Sequence, residues 1–256
     1  MTVVLSGFAD EISPDPDEQL ATLLAESITH LELRSAWSVN VADFTDGQVA
    51  AFRGALDRAG VQVSAIGSPI GKIPLEAPLG PELDRMRRIA DIAGELGTTI
   101  VRVFSFFISP GDPPQQHRER VIDRMAALAQ IASERGLVLA HENEKQIYGD
   151  TADRCHDLIT AVGSPALRAT FDAANFVQCG VRPFSQGYGL LRPYLVYLQV
   201  KDALAALRDS DFEGFVSLEP HLAQAGRHGG FSGPEGFIRA SRALKLILNE
   251  LAISWQ

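Results

Sequence analysis

The sequence predicts an α/β protein folded as a single (β/α)8 TIM barrel over residues 1–256. Three observations predict it. Short β-rich runs alternate with longer helical patterns through eight units, with no Pro/Gly/Ser-rich linker or low-complexity tract between them. The length of 256 residues matches the ~250 that such a barrel needs. Late strand-like runs each end in an oxygen-bearing side chain, Glu142, Asp172, Gln199 and Glu219. A doubly wound open sheet is the competing arrangement, but no Gly-x-Gly-x-x-Gly follows the first strand.

The elements follow in order. Residues 3–8 read as the first strand, and residues 15–26 as a helix with Leu20, Leu23 and Leu24 at helical spacing. Residues 30–34 form the second strand. Thr45-x-x-Gln48 is a capping box opening a helix to Ala59, which Gly60 stops. Residues 61–66 are the third strand, 81–96 a helix closed by Gly97, and 99–104 the fourth strand. A long helix over 114–135 ends at Gly136 and leads into the fifth strand, 137–141. Then come a helix over 151–162, the sixth strand at 167–171, a short helix near 186–191 and the seventh strand at 195–200. A weak helix at 204–208, the eighth strand at 215–218 and a helix over 234–251 complete the chain. The seventh βα unit is abnormally short: its crossover sits at the lower limit for a parallel connection. Either the loop is deleted, or a segment near Ala203 is absent from this sequence, and the second is preferred.

Composition narrows the function. A net charge of −9 argues against nucleic acid as partner, because phosphate binding needs clustered Lys and Arg. Hydrophobic content of 46% is that of a globular protein with a sizeable core, and no run approaches the ~18 apolar residues of a membrane span. Cys155 and Cys179 are the only cysteines, which disfavours a disulfide framework and makes the cytoplasm the expected compartment. The N-terminal run lacks the basic region and apolar length of a signal peptide.

Strand alternation tests whether the polar strand ends converge. Val138, Ala140 and Glu142 share one face; so do Tyr197, Gln199 and Lys201, and Phe215, Ser217 and Glu219. Glu142, Asp172, Gln199 and Glu219 then fall at the barrel mouth, where clustered carboxylates repel one another unless a cation or protons neutralise them. An all-oxygen set favours one divalent metal ion, Mg²⁺ or Mn²⁺, while a histidine would extend the range to Zn²⁺ or Co²⁺. The plain alternative is a set of strand-end residues bonded to loop backbones.

Eight stretches in order carry a resemblance over essentially the whole chain: Gly7-Phe-Ala-Asp-Glu-Ile, Leu31-Glu-Leu-Arg34, Ile66-Gly-Ser-Pro69, Val101-Arg-Val-Phe-Ser105, His141-Glu-Asn-Glu144, Phe171-Asp-Ala-Ala-Asn175, Val200-Lys-Asp202 and Ser217-Leu-Glu-Pro-His221. Together they resemble the xylose isomerase-like TIM-barrel family, which includes D-tagatose 3-epimerase-like enzymes, hydroxypyruvate isomerase and inosose dehydratase. The resemblance implies one divalent metal held by Glu, Asp, His and Glu from strands five to eight. Glu142, Asp172 and Glu219 match, and Gln199 stands at the His position. Three readings of Gln199 stay open: it ligates a harder metal, the carboxylates and waters hold a metal without it, or the metal site is degraded.

The resemblance further implies a metal-dependent isomerase or epimerase of a small-molecule sugar or keto-sugar, acting through proton abstraction and a metal-stabilised enediolate, and often a homo-oligomer. Glu142 and Glu219 would be the bases. A dehydratase or lyase of the same family, and a non-catalytic sugar-binding barrel, are the alternatives. Lys201 suits developing oxyanion charge, with a solvated or ion-paired lysine as its plain reading. Arg102 and Arg34 suit substrate oxygens, or else ion pairs with Glu32 or Glu144. Asn175 suits a substrate hydroxyl or the orientation of a ligand, and His221 a substrate or supporting role. His141 should face away from Glu142, in a structural or supporting role. Trp37 and Phe107 suit either a pocket wall or packing. The Gly-rich loop at 226–235, with Arg227 and His228, suits phosphate, although Ser232-x-x-Glu235 reads as a plain capping box.

Overall fold

The computed structural model describes residues 2–200, 212–220 and 232–256. The seventh crossover, Leu204–Arg208 included, and most of the Gly-rich loop lie outside the described residues, as do Lys201, His221, Arg227 and His228. The chain forms two compact units. The first takes residues 1–67, 95–98 and 198–256; the second takes 68–94 and 99–197.

In the first unit, β1 (Thr2–Gly7) runs parallel to β10 (Gly214–Leu218), with Val3 opposite Gly214 and Gly7 opposite Leu218. A short β11 (Ser254–Trp255) covers the other edge of β1. β2 (His30–Leu33) pairs in parallel with β5 (Gln62–Gly67), and the register slips between Leu31 and Glu32. Helices α1 (Pro16–Ala25), α2 (Asp46–Ala59) and α8 (Gly233–Glu250) belong to this unit. Its core includes Val3, Leu5, Leu31, Phe52, Phe237 and Leu244, all buried. Gly7 matters to that packing: a Cβ there would lie 2.6 Å from the Phe237 ring.

The second unit holds β6 (Ile100–Val103), β7 (Val138–Glu142) and β8 (Leu167–Asp172), parallel and in that spatial order. Helices α3 (Leu79–Leu96, up to Gly94), α4 (Arg118–Glu134) and α5 (Ala152–Val162) supply Ile89, Leu128 and Leu158 to its core. β9 (Leu195–Val200) begins in this unit and ends in the first.

Strand positions agree with the sequence reading to within a residue or two. The expected stops hold as well: Gly60, Gly97 and Gly136 all adopt positive φ, from 66° to 76°. Several features depart from it. A 3-10 turn, Pro114–His117, precedes α4, so the long helix is shorter than expected. The helix near 186–191 is a wound run of π, α and 3-10 turns from Pro183 to Tyr194, including α7 (Gly189–Leu191). A short α6 (Ala173–Gln178) and a hairpin of β3 (Ser35–Ala36) and β4 (Val39–Asn40) have no counterpart in the sequence reading. Finally, Ser232 does not cap α8: its hydroxyl bonds Glu11 Oε2 at 3.2 Å and the Pro220 carbonyl, and its own backbone is helical. The capping-box expectation fails there because the hydroxyl is spent on the preceding segment.

Candidate active site

In the second unit, β7 and β8 end side by side in Glu142 and Asp172, both buried. Two asparagines lock them. Asn143 accepts the Asp172 N–H at 3.0 Å and donates to its carbonyl at 2.9 Å, so the two strand ends are clamped like one more ladder step. Asp172 Oδ1 accepts the Asn175 N–H at 2.9 Å, which caps α6. The Asn175 side-chain nitrogen donates to Glu142 Oε1 at 3.1 Å and to the Asn143 carbonyl at 3.0 Å. Asn175 is thus placed as a support for Glu142.

Arg102, also buried, sets Nη1 3.3 Å from Glu142 Oε2, donates Nη2 to the Ser68 carbonyl and lies over the Phe104 ring. His141 faces away from Glu142, as alternation requires, with Nε2 2.9 Å from the Ser105 hydroxyl. Burial pushes its pKa down to about 3, which keeps the ring neutral. That hydroxyl also accepts the Gly149 N–H. Gly149 leaves room for the ring, since a Cβ would come within 2.3 Å of it.

In the first unit, Glu219 follows β10 and is buried, its Oε1 accepting from Arg34 Nη1 at 2.9 Å. Arg34 also donates Nε to Asp10 and Nη2 to Glu11, each at 2.7 Å, and stacks over Phe8. The Arg34 partners are therefore Asp10, Glu11 and Glu219, and the expected pairing with Glu32 or Glu144 is corrected on this point. Burial works to lower the Arg34 pKa, yet the charges and hydrogen bonds of these carboxylates outweigh it and raise the pKa. Gln199, on β9, is buried, and its amide nitrogen donates to Glu32 at 3.2 and 3.4 Å. Its carbonyl oxygen makes no hydrogen bond among the described residues.

Asp10, Glu11, Glu32 and Asn143 are site-lining groups that the sequence reading did not assign. Glu32 carried a usable signal, because it alternates with Arg34 within the strand expected at residues 30–34. Trp37 is part-exposed and packs against Phe44 and Phe52, so packing accounts for it in this unit. No described helix is long and apolar enough to cross a membrane.

The family model of xylose isomerase-like TIM barrels matches residues 26–246. The chain belongs to that family. Its fold is accordingly the (β/α)8 barrel expected from the sequence, and solved structures of similar fold cover nearly all of the chain. A D-tagatose 3-epimerase-like protein superposes with a TM-score of 0.78 at 12% identity, covering 98% of both chains. The probable 3-DHS dehydratase AsbF of Bacillus anthracis gives 0.74 at 16%, covering 96% of this chain and 99% of that one. A xylose isomerase-like TIM-barrel protein from Mycobacterium smegmatis, in complex with magnesium, gives 0.71 at 17%, covering 97% of each. In sequence, the chain is 32% identical over 147 residues to the 2-epi-5-epi-valiolone 7-phosphate 2-epimerase of Actinoplanes sp.. That match covers 54% of this chain and 49% of the epimerase, so the chain spans about half the length of the curated relative it matches.

Proposed function

We propose that this chain is a divalent-metal-dependent isomerase or epimerase of a sugar or keto-sugar. The observation that carries the reading is three buried carboxylates at the C-terminal ends of strands: Glu142 on β7, Asp172 on β8 and Glu219 after β10. In the barrel to which the family assigns this chain, those ends form the active-site face. By the family's pattern, these three carboxylates would be the acidic ligands of one metal ion. The relative named as an epimerase favours epimerisation within the family's chemistries.

The donor set fits a hard cation. Three carboxylates and the Gln199 carbonyl oxygen, buried with no hydrogen bond among the described residues, are oxygen ligands of the kind Mg²⁺ and Mn²⁺ take. Glu142, Asp172, Gln199 and Glu219 would hold the metal. When bound, a divalent cation acts as a Lewis acid on adjacent carbonyl and hydroxyl oxygens of a sugar and acidifies the C–H between them.

The chain's own residues do the rest. Glu142 and Glu219 are the bases that remove and return the proton. Each is steered by an arginine, Arg102 for Glu142 and Arg34 for Glu219, and Asn175 holds the other oxygen of Glu142. The arginines also carry the proposed role of binding substrate oxygens, with Lys201 offsetting oxyanion charge and His221 touching substrate.

The test is solvent exchange. The chain incubated with Mn²⁺ and candidate keto-sugars in D₂O should place deuterium on one carbon of a true substrate. Glu142→Gln should abolish that exchange with an unchanged circular dichroism spectrum. Exchange that survives the substitution removes Glu142 as base, and a product short of one water assigns a dehydratase instead.

A further inference from the structure

Glu32 has no part in the mechanism above, yet it is fully buried and bonded to Gln199. It sits on β2 at the register slip with β5, two residues before Arg34, which follows the end of the strand. Its carboxylate receives the Gln199 amide nitrogen at 3.2 Å on one oxygen and 3.4 Å on the other. Both Glu32 oxygens are occupied by the Gln199 amide nitrogen, so the amide oxygen of Gln199 is turned away from that carboxylate. The oxygen so presented is the buried one that makes no hydrogen bond among the described residues.

We propose that Glu32 is a positioning residue that holds Gln199 with its oxygen, never its NH₂, toward the divalent cation. The inference rests on the metal site proposed above. By excluding the flipped amide, Glu32 keeps the fourth donor an oxygen and biases the site toward Mg²⁺ or Mn²⁺ over Zn²⁺. The arrangement parallels histidine sites in which the second ring nitrogen donates to a carboxylate that fixes the ligand. Here an amide does what the imidazole does there. An imidazole placed at position 199 would therefore find its orienting acceptor already in place.

The experiment titrates the chelator-stripped full chain with Mn²⁺ alone and Zn²⁺ alone by calorimetry, with Mn²⁺ occupancy followed by electron paramagnetic resonance. In Glu32→Gln, the new amide can donate to the Gln199 oxygen and turn it over. Mn²⁺ affinity should fall about tenfold or more, as it does when supporting groups of metal ligands are lost, with circular dichroism unchanged. Gln199→His should raise the Zn²⁺-to-Mn²⁺ affinity ratio by about tenfold or more, and the double variant should lose most of that gain. Unchanged Mn²⁺ affinity in a folded Glu32→Gln protein overturns the role of Glu32. If that variant does not fold, Gln199→His carries the test, and an unchanged ratio overturns the inference. A parent chain that binds neither ion overturns the metal site itself, whereas a parent that binds Mn²⁺ beside insensitive variants removes only Glu32.

Discussion

Asn175 and Arg34 show how a polar side chain is assigned by what it touches. Both hydrogens of the Asn175 amide are spent inside the protein, on Glu142 and on the Asn143 carbonyl. A residue so committed would orient Glu142, the proposed base. Asn175→Ala should therefore lower kcat by about tenfold or more and leave KM for the sugar nearly unmoved. A rise in KM at constant kcat would return Asn175 to substrate binding. Steady-state kinetics on whichever sugar supports deuterium exchange separates the two. Arg34 is a similar case with three partners. Its planar fork reaches Asp10, Glu11 and Glu219 through three different nitrogens, a geometry that a lysine cannot reproduce. None of these pairings is visible from residue types, since carboxylates outnumber basic groups along the chain and any of several could have served.

Helix ends illustrate where local signals hold and where they break. Thr45 and Gln48 form the capping box that their spacing announces: the hydroxyl accepts the Gln48 N–H at 3.2 Å, and the Gln48 side chain accepts the Thr45 N–H at 3.0 Å. Ser232 and Glu235 have the same spacing and form none. Thr45→Ala should cost about 1 kcal/mol in urea unfolding, the ordinary value of a lost cap. Ser232→Ala should leave α8 intact by hydrogen exchange, because no cap is lost there. The β3–β4 hairpin was hidden for a related reason. Its two turn residues, Trp37 and Ser38, both adopt positive φ, 53° and 59°, which Asn-Gly would have signalled and Trp-Ser does not. Packing of the Trp37 ring on Phe44 and Phe52 accompanies this strained turn, and such long-range contacts leave no mark on local spacing.

For the protein as a whole, metal binding should be coupled to stability. An ion that binds the folded chain and not the unfolded one, at 100 times its Kd, adds about 2.7 kcal/mol. Mn²⁺ should raise Tm accordingly, EDTA should reverse the gain, and calorimetric scanning reads both. Asp172→Asn retains an oxygen for the α6 cap but removes one charge from the proposed cluster. It should abolish the Mn²⁺ shift and leave the metal-free protein as stable as the parent or more so, since like charges that repel are being diluted. A Tm unaffected by Mn²⁺ in the parent would count against the metal site.

Periodicity and punctuation were enough to place the described strands to within a residue or two, to stop helices at glycines, and to put Glu142, Asp172, Gln199 and Glu219 at or beside strand ends. These follow from the two-residue and 3.6-residue repeats of the backbone, which any short window of the chain contains. The partners of those residues were not legible. Arg34 meets Glu219 across 185 positions, and Gln199 meets Glu32 across 167. Such pairings depend on which strands lie side by side and where a register slips, as β2 does against β5 at Glu32. The family resemblance could point to position 199 as a ligand, but the direction of its amide is set by a buried carboxylate far away in the chain. Local chemistry places a side chain on a face; packing of distant segments decides which of its atoms is left to act.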